Sequence, residues 1–321
     1  MRPSAGRTAP ARPGTHPIRR PPGDRVIRRP PGDRVIRRPP GDRVIRRPPG
    51  DRVIRRPIGS VGPVNHASVP DQAIPTRRVL VSEVWIVLGL SLGASALYAI
   101  LDLARSLSAN QPLRSQSAVI NASAGTTSLL DLLYQLVGIA VALVPVVLVI
   151  HLLRRGGETP GAIGLDGRAP RREVLWGMLL AAGIGGAGLA LYIGAYHLGL
   201  SVRIVPTTLP ALWWRIPVLA LAAVQNGILE EVIICGYLLH RLDQLGWSDR
   251  RSLATSAVLR GSYHLYQGFG GFVGNLVMGL IFGRIYQREH RLGRLVLAHS
   301  LIDAGAFIGY VALKGKVSWL P

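Results

Sequence analysis

Two adjacent carboxylates, Glu230 and Glu231, lie inside the apolar run Gly227-Ile228-Leu229-Glu230-Glu231-Val232-Ile233-Ile234-Cys235-Gly236-Tyr237-Leu238-Leu239. An ionised group at bilayer depth costs roughly 2.5–3.5 kcal/mol on insertion scales, so such groups are kept for a partner or a task. Further along, Arg260 and His264 are four residues apart, as are His299 and Asp303, so each pair shares one face of a helix. A carboxylate and two imidazoles brought in on three segments suit the activation of a water molecule. Glutamate can act as general base, and a histidine can polarise the same water or donate to the leaving nitrogen. His299 with Asp303 can hold the oxyanion that develops on a scissile carbonyl. That chemistry is peptide hydrolysis without a covalent intermediate. No Gly-x-Ser-x-Gly, no His-Glu-x-x-His and no convincing Cys–His pair competes with it.

The segments that carry these residues are read from hydropathy. A membrane helix needs about 20 mostly apolar residues. Candidate spans run at 80–103, 132–153, 174–200, 216–239, 253–266, 269–285 and 295–313, which predicts an all-α polytopic membrane protein of about seven transmembrane helices. The fourth carries Glu230 and Glu231, the fifth Arg260 and His264, the seventh His299 and Asp303. At about 1.5 Å per residue, Glu230, His299 and Asp303 fall in one layer in the cytoplasmic half, and His264 joins them only if its span is tilted or starts lower. Asn226, Tyr263 and Asn275 are candidates to line the cavity. Trp213, Trp214 and Trp247 stand at span ends, where interfacial aromatics are expected.

Charge sets the orientation. Loops 154–173, 240–252 and 284–294 hold five, three and four arginines, and the intervening loops hold at most two. The positive-inside bias then places the N-terminus in the cytoplasm and the C-terminus outside. The Arg/Ala/Gly/Pro-rich composition suggests a bacterial plasma membrane. The expected division is a tail at 1–79, N-terminal transmembrane helices at 80–215 and a catalytic-type core at 216–321.

Mean hydropathy is +0.29 although the formal net charge is +21, because charge and hydropathy occupy different parts of the chain. Within 1–79 the nonapeptide Ile-Arg-Arg-Pro-Pro-Gly-Asp-Arg-Val starts at Ile18, Ile27, Ile36 and Ile45, and a truncated copy starts at Ile54. Pro-Pro-Gly in each unit opposes helix and strand, so a disordered, partly polyproline-like tail is expected. Its arginines can touch anionic lipid at about 1 kcal/mol each. No aromatic residue interleaves them, which argues against specific nucleic-acid recognition. The first apolar run starts too late for a signal peptide. The single cysteine, Cys235, excludes an intrachain disulfide and a multi-Cys metal site.

The order Glu230-Glu231, then His264, then His299-Ser300-Leu301-Ile302-Asp303 resembles the motif order of the CPBP intramembrane endopeptidases, the CAAX-prenyl-protease, bacteriocin-processing and abortive-infection family. The resemblance covers about residues 216–313. It implies a peptide or membrane-protein substrate within the bilayer, Glu230 as water-activating base with His264, an oxyanion site at His299 and Asp303, and Glu231 as a structural carboxylate. Two positions depart from the family pattern: Cys235 stands where it has Arg, and Arg260 where it has Phe. We read these as an exchange in which Arg260 pairs with Glu231 and restores the balance that Cys235 removes. No cofactor is expected, with zinc held by Glu230, His264 and His299 as the alternative. Other readings are a catalytically diverged scaffold or immunity protein of the same fold, and a proton-coupled transporter, for which no internal repeat of the membrane half is seen.

Overall fold

In a computed structural model, residues 76–167 and 171–317 are described. All belong to one compact unit, His66–Pro321. The nonapeptide tail and its expected lipid contact lie outside the described residues.

Apolar runs become helices, and backbone breaks fall where the sequence cannot continue the ladder. α1 (Arg77–Gly89) and α2 (Leu92–Ser108) form one hydrophobic stretch bent by 49°. α3 (Ser128–Ala142) and α4 (Val144–Arg155) meet at Leu143, just before Pro145, whose missing N–H removes a helical bond. α5 (Arg171–His197) follows. α6 (Arg215–Glu230), a π-helical stretch (Glu231–Leu238) and α7 (Leu239–Gln244) form a 30-residue rod. α8 (Asp249–Ser262), α9 (Phe269–Glu289) and α10 (Leu292–Leu313) complete the chain.

The helical membrane architecture is as expected, but the span count is not. Among the described residues five helices are long and apolar enough to cross a membrane, or six with the bent pair counted as one span. The segment expected as a fifth full span holds only the 14-residue α8, about 21 Å long, because Arg250, Arg251 and Arg260 dilute its apolar character. The fold is also not purely helical. β1 (Ser117–Asn121) and β2 (Arg203–Thr207) pair in parallel, Ser117 opposite Arg203 and Asn121 opposite Thr207.

Burial identifies the central element. The apolar window of the α6–α7 rod is 67% buried against protein, whereas those of α5 and α3–α4 are 6% and 17% buried, as lipid-facing helices should be. The rod's second half, Val232 to Leu239, packs into the main core with Leu153, Ile163, Phe282, Leu292 and Leu295.

The loops sort onto two faces as the arginine pattern implied. On the arginine-rich face, Glu158 bonds His240 and Arg241 at 2.6 Å each, Arg294 bonds Glu173 at 2.6 Å and pairs with Glu289, and Arg291 meets Asp166 at 3.3 Å. Burial pushes the Glu158 carboxyl up, but the hydrogen bond with His240 and the charges of His240 and Arg241 hold it below its ordinary value. The strand pair belongs to the opposite face, where Ser201 bridges to Gly268.

Candidate active site

Close backbone approach brings the polar residues together. A Cβ on Gly227 would lie 2.4 Å from Ser300 Oγ and 2.9 Å from Val296 O, so only glycine lets α6 and α10 meet at this level. One turn further on α6 stand Glu230 and Glu231, and α10 carries His299 and Asp303 beside Ser300. A Cβ on Gly279 of α9 would similarly crowd Ala257 and Arg260 of α8, so this contact seats Arg260 within the core. The rod leaves α-helical winding at Glu231 and regains it at Leu239. Such π-helical insertions recur at functional sites because they re-aim side chains.

Two layers of polar contacts result. In the inner layer, Arg260 Nη2 donates to Glu231 Oε1 at 2.6 Å, with both side chains fully buried. His299 Nδ1 meets the same oxygen at 2.7 Å. Cys235, four residues after Glu231 on the rod, is buried beside this layer. In the outer layer, the Tyr263 hydroxyl donates to Glu230 Oε2 at 2.6 Å. Across from it, His299 Nε2 lies 3.9 Å from Glu230 Oε2 and 3.8 Å from Asp303 Oδ1. Asn226 Nδ2 donates to Asp303 Oδ2 at 3.0 Å.

His264 follows α8 directly. Its Nδ1 meets Arg260 O at 3.1 Å, which leaves Nε2 as the ring's acceptor if Nδ1 carries the proton. The ring lies between Tyr263 and Tyr266, at centroid distances of 4.7 and 6.3 Å. Tyr263, against which the ring packs, carries its hydroxyl to Glu230, so His264 adjoins the outer layer.

The structure therefore gathers Glu230, Glu231, Arg260, His299 and Asp303 into one cluster, with His264 at its border. The depth estimate admitted His264 if its span were tilted or started lower; α8 starts at Asp249, ahead of the expected 253, and a turn at Tyr263 closes it before His264. Along α10, Asp303 is about 16 Å from Leu292 and about 15 Å from Leu313, and His299 lies about one turn closer to the arginine-rich end. Two contacts were not legible beforehand. Tyr263 stood only as a lining residue, though its place beside His264 marks it, and His299 binds Glu231 more closely than it approaches Asp303. Among the described residues no group of three or more His, Cys, Asp or Glu side chains has the arrangement of a metal site. His299 and His264 each use Nδ1 in these contacts, with a carboxylate and a backbone carbonyl respectively, and keep Nε2 for another partner.

The family model described as type II CAAX prenyl endopeptidase Rce1-like matches residues 212–305. This interval begins just ahead of α6, ends just past Asp303 and contains every residue of the cluster; it accords with the CPBP family. The match supports a protease-type function in general, and with the apolar helices it supports an integral membrane location. No curated protein and no solved structure matches the chain.

Proposed function

We propose that this protein is an intramembrane endopeptidase that hydrolyses a peptide bond with a water activated by Glu230 and His264. The observation that carries the reading is the outer layer, where His299 Nε2 lies 3.9 Å from Glu230 Oε2 and 3.8 Å from Asp303 Oδ1, so that a general base and an imidazole from two helices converge. Tyr263 holds Glu230 Oε2, the oxygen that also lies nearest His299, and so fixes the orientation of the carboxylate. Glu230 takes the water proton as the oxygen bonds to the scissile carbonyl carbon. With both ring nitrogens protonated, His299 donates Nδ1–H to Glu231 and Nε2–H to the oxyanion, while Asp303, held by Asn226, keeps the ring in place. The proton returns from Glu230 to the amide nitrogen, directly or through His264, as the carbon–nitrogen bond breaks. Glu231 with Arg260 supplies the buried charge balance under this layer.

The departures at Cys235 and Arg260 favour a second reading, a diverged scaffold that binds peptides without cutting them. Cleavage of a decapeptide library by the detergent-purified protein, read by mass spectrometry, separates the two. The wild type should yield defined products and Glu230→Gln and His264→Ala should not. Equal product from all three overturns the catalytic assignment. We further propose that the reaction needs no metal, which predicts activity that survives exhaustive chelation. The arginine-rich face is proposed to be cytoplasmic; accessibility of single cysteines introduced at Gly157 and Gly199 in intact cells tests this.

A further inference from the structure

The strand pair has one closed edge and one open edge. On β2, the Ile204 N–H donates to the Tyr192 hydroxyl at 2.9 Å, and Pro206 has no N–H while its carbonyl accepts from Asn121 Nδ2. That edge cannot take another strand. On β1, the Arg203 N–H bonds Gln116 O, which fixes the ladder. Ala118 and Ile120 then point their backbone groups to β2, and Ser117 and Val119 point theirs outward. Both residues are exposed.

Two cavities flank this open edge. One, of about 500 Å³, lies between β1 and the C-terminal part of α2 (Asp102, Arg105) and reaches Tyr266, whose ring stacks on His264. The other, of about 420 Å³, lies on the sheet face of Ser117, Val119, Arg203 and Val205, and Tyr310 and Lys314 close it. Arg203 and Lys314 face the second cavity with no acidic residue in its lining, whereas in the first Asp102 is paired with Arg105 at 2.9 Å.

We propose that the substrate binds as an extended peptide added to the outer edge of β1, with a carboxylate side chain seated between Arg203 and Lys314. Side chains of an added strand alternate between faces, so successive residues would enter the two cavities in turn. The run past Tyr266 leads the chain to His264 and Glu230. This rests on the endopeptidase reading and adds to it a binding mode, an entry face and an acidic preference.

The library assay tests it. The wild type should enrich Asp or Glu at one position relative to the cut, and Arg203→Glu with Lys314→Glu should replace that preference with Lys or Arg. Single N-methylation along a cleaved peptide should raise KM at every second residue, about three- to tenfold for each hydrogen bond lost. An unchanged acidic profile in the charge-reversed protein, or N-methyl effects without alternation, overturns the proposal. As an independent readout, the full-length Glu230→Gln protein with a benzophenone side chain at position 119 is irradiated with a fluorescent decapeptide of alternating Glu and Val. Crosslinking that Arg203→Glu abolishes supports the edge, and no crosslinking overturns it. Crosslinking combined with no cleavage by the wild type removes the catalytic reading and leaves the binding edge standing.

Discussion

Replacing Arg260 by alanine should destabilise the protein severely. The guanidinium and the Glu231 carboxylate are both fully buried and 2.6 Å apart. After truncation Glu231 keeps only His299, and its second oxygen already has no hydrogen-bond partner among the described residues. Removing one member of a buried pair costs about 3–5 kcal/mol, because the other charge stays behind in a low-dielectric site. At about 2–4 °C per kcal/mol for a unit of this size, the expected loss in Tm is roughly 6–20 °C, measured by thermal unfolding in detergent. Arg260→Phe should cost about as much. The exchange reading adds a sharper expectation for the double variant Arg260→Phe, Cys235→Arg. Cys235 stands four residues after Glu231 on the same rod, so a long cationic side chain there is placed to reach the same carboxylate. The double variant should recover about half or more of the lost Tm, a favourable coupling between neighbours. A double variant no more stable than Arg260→Phe alone refutes the exchange, and a Tm loss below about 2 °C for Arg260→Ala refutes the role of the pair.

Glu230→Gln should lower kcat by about 10²–10⁴-fold, the range for loss of a general base, with Tm nearly kept. Tyr263→Phe removes one bond to a charged group, and kcat should fall about tenfold or more while KM holds; the two parameters are separated on a single cleaved peptide. Gly227→Val should reduce folded yield and abolish cleavage, since its Cβ would already lie within 2.4 Å of Ser300 Oγ; size-exclusion chromatography reads the yield. Glu158 has a depressed pKa, so the stability it contributes is present above its ordinary value of 4.5 and is lost as pH falls through the native value. Glu158→Gln should therefore flatten the acid side of a Tm-against-pH curve.

Hydropathy and arginine placement were enough to find the membrane helices and to sort the loops onto two faces, because both depend on local composition. The Arg260–Glu231 pair was legible for a related reason: a missing cation and an extra one stood out against apolar surroundings. The strands were not legible. Ser117–Asn121 and Arg203–Thr207 are short, lie in polar connections and pair across 86 residues of chain, so nothing local marks them. The π-helical winding was equally hidden, since Glu231–Leu238 reads as ordinary apolar helix. The short α8 was misread because its apolar residues suggested a span that its arginines cut down.

The π-helical stretch also fixes a phase relation between the two ends of the rod. Glu230 must face α10 at one end, and Arg241 must face Glu158 and Glu83 at the other. A residue of an α-helix turns the chain by about 100° and a residue of the wider π-helix by less, so a change in the number of residues between Glu231 and Leu238 would rotate one end against the other. Either the cluster or the Arg241 anchor would then turn toward lipid. Side chains in this stretch can be exchanged by size, but its length cannot change, and the count of residues from Glu231 to Arg241 is as much a part of the site as the residues themselves.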